Sequence, residues 1–189
     1  MEYKVNDIFC SLQGEGNNTG RAAVFVRFAG CNLRCPFCDT SFDTFRVMTA
    51  EGILDAVSCH PTRFIVLTGG EPTLQVDSLF VDRLHERGYE VAMESNATRP
   101  APDNIDWLTL SPKGRVADGI TRCNELKIVY VDDESVNDYG IKADHYYLQP
   151  CDTGDEMRNR QIVKNCIDYI QQHPRWRLSL QMHKLAGIK

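Results

Sequence analysis

The sequence predicts an α/β fold: an open, partial (β/α) barrel of about six mostly parallel strands with few, short helices. Three observations lead there. Short apolar runs alternate with helical segments, as parallel sheets with crossover helices require. Polar residues gather where those runs end, at 31–40, 68–71, 94–96, 111–113 and 149–152, and parallel α/β folds build their sites at the carboxyl ends of strands. The chain has 189 residues, whereas a full eight-fold barrel takes about 250. One domain spanning 1–189 is expected.

Each element has its own signal. Residues 1–21 contain Leu12-Gln13-Gly14-Glu15-Gly16 and then Asn17-Asn18-Thr19-Gly20; three glycines within seven residues mean a loop. Ala22–Ala29 reads as a buried strand, and Arg27 is the anomaly in it. A charge inside an apolar run either faces solvent at the strand end or points into a cavity. Thr49 is the expected N-cap of a short helix carrying Ile53, Leu54 and Val57. Phe64–Leu67 reads as a strand ending at Thr68, and 77–87 as an amphipathic helix with Leu79, Phe80 and Leu84 inward and Gly88 as its stop. Further strands are expected at 90–93, 107–110, 125–131 and 145–148. A helix over 155–172 carries Ile162, Cys166, Tyr169 and Ile170 on one stripe, and 176–181 reads as a last strand.

Bulk properties narrow the function classes. The net charge is −5 and Lys and Arg are scattered, so no basic field recruits nucleic acid. No apolar segment approaches a membrane span, and the N-terminus does not read as a signal peptide. Eight cysteines with no export signal point to a reducing cytoplasm.

Three of those cysteines are crowded together. Cys31-x3-Cys35-x2-Cys38 places three thiols within eight residues, so they can close on one soft metal centre with little loop entropy lost. Three ligands suit a cubane iron–sulfur cluster with one open iron, whereas a structural zinc site wants four. A zinc-stabilised binding module remains the alternative. Its nearest later ligands, Cys59 and His60, lie 21 and 22 residues on, which is not an ordinary zinc-ribbon spacing. Thr68-Gly69-Gly70-Glu71-Pro72 follows an apolar run. There the glycines let backbone approach a ligand, and Glu71 is either an acceptor for an ammonium or negative charge at a helix start. Thr40 puts a hydroxyl beside the cysteine loop, but a lone Thr holds Mg2+ only when substrate oxygens and waters complete the octahedron.

The cysteine spacing and the Gly-Gly-Glu-Pro element resemble those of the radical S-adenosylmethionine (SAM) superfamily. Leu12–Gly16, Arg27, Cys38-Asp39-Thr40, Thr68–Pro72, Glu94-Ser95-Asn96, Ser111-Pro112-Lys113, Gln149-Pro150 and Leu180–Lys184 occur in order, and the ordered set resembles the 7-carboxy-7-deazaguanine synthase family. The resemblance runs from residue 5 to the C-terminus. It implies a truncated radical SAM core and a carbon–nitrogen lyase of queuosine and 7-deazapurine biosynthesis. Such an enzyme contracts 6-carboxy-5,6,7,8-tetrahydropterin to 7-carboxy-7-deazaguanine with loss of ammonia, using a hydrogen taken from C6 by a 5′-deoxyadenosyl radical and SAM as a catalyst.

The same resemblance implies the site. One 4Fe-4S cluster sits on Cys31, Cys35 and Cys38, and Mg2+ bridges Thr40 and the substrate carboxylate. SAM contacts map onto Phe37, Cys38, Asp39, Gly70, Glu71, Ser111, Pro112, Lys113, Gln149, Pro150, Cys151 and Asp152. Pterin contacts map onto Leu12, Gln13, Gly14, Glu15, Arg27, Thr68, His183 and Lys189, with Glu94 and Thr40 catalytic. A flavodoxin-like or ferredoxin reductant and a homodimer are implied, with no nucleic acid and no membrane. Cys151 departs from the family pattern, which puts an ordinary hydrophobic residue there. A glycyl-radical activase shares the cysteine spacing, but it needs an open protein-docking face, whereas Gln13–Glu15 and Thr40 favour a small polar pocket.

Overall fold

The structure is a computed structural model that describes residues 1–38, 40–41 and 43–189. In chain order it runs β1 (Glu2–Leu12), β2 (Ala22–Phe28), β3 (Arg46–Thr49), α1 (Ala50–Ser58), β4 (Phe64–Gly69), α2 (Ser78–Glu86), β5 (Glu90–Ser95), β6 (Trp107–Leu110), β7 (Arg122–Tyr130), β8 (Lys142–Pro150), α3 (Glu156–Gln172), β9 (Trp176–Leu178) and α4 (Met182–Ala186). The strands form one sheet in the order β3-β1-β2-β4-β5-β6-β7-β8-β9. From β2 to β9 every neighbour is parallel; β1 is antiparallel to both β2 and β3. The outer strands β3 and β9 do not pair with each other, so the barrel is open.

The sheet has nine strands, more than the expected six or so, because β1, β3 and the last strand β9 also join it. The sequence signal of β1 and β3 is weak. In β1 alternation covers only Tyr3 and Val5 before Asn6 and Asp7 interrupt it, and β3 is a four-residue edge. Both are strands because their backbones find partners across the sheet, a tertiary effect that overrides local propensity. The last strand is shorter than 176–181 and gives way to α4.

The helix caps match the sequence. Thr49 Oγ1 accepts from the Gly52 N–H at 3.1 Å, and Asp77 Oδ1 accepts from the Phe80 N–H at 2.9 Å. The Asp77 cap also sets the phase of α2, so Phe80, Val81 and Leu84 face the sheet while Leu79, expected inward, is 72% exposed.

Pleat parity divides the strands into two faces. Val24, Val26, Phe28, Ile65, Leu67, Val91 and Met93 pack with α1 and α2 residues in one core cluster; Leu126, Ile128, Tyr130 and Leu148 pack with Ile162 and Cys166 of α3 in another. The alternate residues point to the concave face. Near β2 these are apolar, with Ala23, Phe25, Phe64, Val66 and Ala92 clustered beside Phe9 and Trp107. One or two residues further toward the strand ends the same face turns polar: Arg27, Thr68, Glu94, Thr109, Lys127 and Gln149. Among the described residues no helix is long and apolar enough to cross a membrane.

Candidate active site

The strand ends open into a cavity of about 530 Å³, within the range of small-molecule sites. Cys31, Phe37, Cys38 and Thr40 line it, as do Cys35, Leu33 and Pro36. The cysteine loop follows β2 directly. A turn closes it from the Cys38 N–H to the Cys35 carbonyl at 3.1 Å, and the Cys38 thiol donates to the Thr40 carbonyl at 3.6 Å. Cys31 Sγ accepts from the Leu33 N–H at 3.4 Å and from Asn96 Nδ2 at 3.7 Å.

The next strand end, at Gly69 and Gly70, is tight for a reason other than ligand approach. A Cβ on Gly70 would overlap the Gly30 carbonyl, and one on Gly69, where φ is +121°, would overlap Phe28 backbone. These glycines let the end of β4 close onto the start of the cysteine loop, tied by Glu71 N–H to Gly30 carbonyl at 2.9 Å.

Glu71 does not take the place expected of it. Its side chain is 0% exposed and does not line the cavity. The carboxylate instead accepts from the Thr73 N–H and hydroxyl at 3.0 and 2.7 Å, from Ser95 Oγ at 2.9 Å and from the Asn96 N–H at 2.7 Å. Glu71 therefore ties the end of β4 to the end of β5. Glu71→Ala strands four buried donors and is expected to cost about 2–3 kcal/mol in denaturant unfolding. Unchanged stability with weakened SAM binding would return Glu71 to a ligand role. Pro112, also expected at SAM, is buried outside the cavity lining. Asp39 lies outside the described residues.

The remaining expected positions converge. Leu12, Gln13, Gly14, Glu15, Arg27, Thr68, Glu94, His183 and Lys189 line the cavity, together with Gly70, Ser111, Lys113, Gln149, Pro150, Cys151 and Asp152. Glu94 accepts from Gln13 Nε2 at 2.9 Å and from the Thr68 hydroxyl at 3.3 Å. Gln13 in turn accepts from the Gly14 N–H at 2.7 Å. A Cβ at Gly14 would run into the His183 ring, and the Met182 N–H donates to the Gly14 carbonyl at 2.9 Å, which seats α4 against the glycine loop. Arg27 packs its guanidinium 5.3 Å from the Phe9 ring centroid, and its buried Nε has no hydrogen-bond partner among the described residues. Lys189 pairs with Asp7, and its Nζ also sits 4.6 Å from the Phe9 ring centroid.

Electrostatics separate the two ends of the cavity. Burial pushes the Cys35 thiol up, with Cys38 and Cys31 adding to it and Lys113 opposing. Burial, reinforced by repulsion from Lys127, lowers the Lys113 ammonium to about 8; it donates to the Ser111 carbonyl and hydroxyl at 3.0 and 2.5 Å. Asp152 is pulled down to about 2, first by its bond from Lys184 and then by the Gly154 N–H and Asn159.

Lys127 and Glu125 were not singled out by the sequence. The alternation Glu125-Leu126-Lys127-Ile128 held the signal, since its charged residues share one face and its apolar residues share the other.

The cysteines fit a cubane cluster. All three are free thiols on one wall of the cavity, and a cubane's thiolates ligate three different irons. Among the described residues no three of His, Cys, Asp or Glu converge on one point as a single metal ion would need; the cluster does not ask for that convergence.

Comparison with known proteins agrees with this geometry. The profile of the Radical SAM superfamily matches residues 25–171. The 7-carboxy-7-deazaguanine synthase of Bacteroides thetaiotaomicron is 48% identical over 190 residues, covering 100% of both chains. That of Bradyrhizobium diazoefficiens is 42% identical over 213 residues, again covering 100% of both. The crystal structure of QueE from Escherichia coli superposes with a TM-score of 0.78 at 26% identity, covering 97% of this chain and 95% of that one. The family brings with it SAM, a 4Fe-4S cluster and a small-molecule substrate. The chain belongs to the radical SAM superfamily and, within it, to the 7-carboxy-7-deazaguanine synthase family of enzymes.

Proposed function

We propose that the chain catalyses the ring contraction of 6-carboxy-5,6,7,8-tetrahydropterin to 7-carboxy-7-deazaguanine with release of ammonia. The observation that carries this reading is a single cavity lined both by the three clustered cysteines and by carboxylates, amides and Arg27. When bound, the reduced cluster and SAM would supply a radical able to take the hydrogen from the substrate carbon that carries the carboxylate.

The protein's own residues do the rest. Cys31, Cys35 and Cys38 would hold three irons and leave the fourth for the methionine end of SAM. Phe37 shields the cluster side, while Ser111, Lys113 and the 149–152 turn receive SAM. Gln13 and Glu15 offer an amide and a carboxylate to the N–H edge of the pterin, and Arg27 neutralises its carboxylate. Glu94, oriented by Gln13 and Thr68, is placed to take or return a proton at Oε2 as ammonia is lost. Phe9 and Phe25 line the same cavity and exclude water from one side.

Thr40 lines the cavity, and its hydroxyl fits a Mg2+ held mainly by substrate carboxylate and water. Thr40→Val keeps the shape and removes the oxygen. Activity is expected to fall and to lose most of its response to added Mg2+, with cluster content unchanged. An unaltered Mg2+ titration removes Thr40 from the site. A flavodoxin-like or ferredoxin reductant and a homodimer are proposed from the family alone. The reading is tested by anaerobic incubation with SAM, reductant and the carboxytetrahydropterin, with detection of the deazaguanine and of ammonia.

A further inference from the structure

Lys127 has no role in the reading above, yet it is placed at the centre of the polar end of the cavity. It projects from the inner face of β7 and is 5% exposed. Its Nζ donates to Glu15 Oε2 at 2.5 Å and lies 3.9 Å from Glu94 Oε1. Glu125, two residues earlier on the same face, accepts from the Asn17 N–H at 2.8 Å. The other Glu15 oxygen accepts from Gln149 Nε2 and Gln181 Nε2, both at 3.1 Å. Glu15 is thus held by donors from β7, from β8 and from the residue before α4.

The Glu15 side chain is only 15% exposed, and with neutral donors alone it would shift toward its protonated form, because desolvation disfavours its charge. A protonated Glu15 would present a hydroxyl where an acceptor is needed. We propose that Lys127 is a positioning residue: its buried ammonium fixes Glu15 as an ionised, oriented acceptor onto which the N–H edge of the pterin docks. This inference rests on the substrate reading above.

The groups facing Glu15 agree in sign. Burial raises its pKa, but attraction to Lys127 and the bond from it, with help from Gln181 and His183, outweigh burial and hold Glu15 below the ordinary carboxylate range. Burial likewise opposes the charge on Lys127, and Glu15, Glu94 and Glu125 together outweigh it. Glu125 is pushed up, chiefly by burial, against the attraction of Lys127. Lys113, from the β6–β7 connection, adds a second and weaker positive charge on the same side.

The test uses the full chain with its cluster reconstituted anaerobically. The infrared carboxyl band of Glu15 is isolated without substrate, as wild type minus Glu15→Gln and as Lys127→Met minus the Lys127→Met/Glu15→Gln double variant. Affinity for the carboxytetrahydropterin is measured over the same pH range. Wild-type Glu15 is expected to stay ionised from about pH 5 to about pH 9. In Lys127→Met burial is opposed only by the weaker influence of Gln181 and His183, so a protonated carboxyl appears toward neutral pH and grows as pH falls. Pterin affinity at pH 7 then drops about tenfold or more and recovers toward pH 9, since one unit between pH and pKa is a factor of ten. Lys127→Arg restores the wild-type profile.

A Lys127→Met band that titrates with the wild type overturns the proposal. So does an affinity loss equal at every pH, which a merely structural lysine would give. If Lys127→Met does not fold, the double variant, which removes the Lys127–Glu15 pair together, is expected to fold. Its failure assigns Lys127 to the scaffold independently of Glu15. If wild type binds no carboxytetrahydropterin, the substrate reading falls, while the infrared titration still decides the Lys127–Glu15 coupling.

Discussion

Replacing any one of Cys31, Cys35 or Cys38 with Ala is expected to abolish bound iron and, with it, cleavage of SAM. Each supplies one of three thiolates from a single loop on a cavity wall, and each substitution leaves the cubane short of one iron ligand. The other cysteines are the controls. Cys10 and Cys59 are exposed and away from the cavity, and Cys123 and Cys166 are buried in the core beneath α3. Cys10→Ala and Cys59→Ala should leave iron content and stability near wild type. Cys123→Ala and Cys166→Ala should lower stability by about 1 kcal/mol each and keep the iron. Iron and sulfide analysis on the seven single variants decides the matter. If all seven behave alike, the three-ligand assignment is wrong.

Arg27→Met should weaken the carboxylated pterin by about 2–5 kcal/mol while leaving SAM affinity and cluster content almost unchanged. Arg27 shares the inner face of β2 with Ala23 and Phe25, and its buried Nε has no partner among the described residues. Such a charge is costly in the empty site and is relieved by an anion. Met keeps the stem that packs near Phe9 and removes the charge, so the melting temperature should hold or rise. A loss of stability with unchanged pterin binding would make Arg27 structural.

The parallel sheet was legible because β2 and each strand from β4 to β8 carry their own apolar runs, and the site was legible because polar residues end those runs. Arg27 stood out as a charge in an apolar stretch, and the structure puts it in the cavity. Lys127 was hidden because its neighbours also alternate polar with apolar, so a buried lysine looked like the solvated side of an ordinary strand. Glu71 was misplaced for a related reason. A Gly-Gly-Glu element after a strand fits both a ligand acceptor and a buried tie between strands, and only the donors Thr73, Ser95 and Asn96 tell the two apart. The strands β1 and β3 depend on long-range pairing, which local pattern does not encode.

The central claim is that one cavity brings the pterin C6 and the adenosyl carbon of SAM within reach of each other. Anaerobic turnover with the carboxytetrahydropterin deuterated at C6 tests it directly. The expected result is 7-carboxy-7-deazaguanine with ammonia released in equal amount and deuterium in the 5′ position of recovered SAM. Product formed with no deuterium in SAM, or no product from a fully loaded protein, would contradict it.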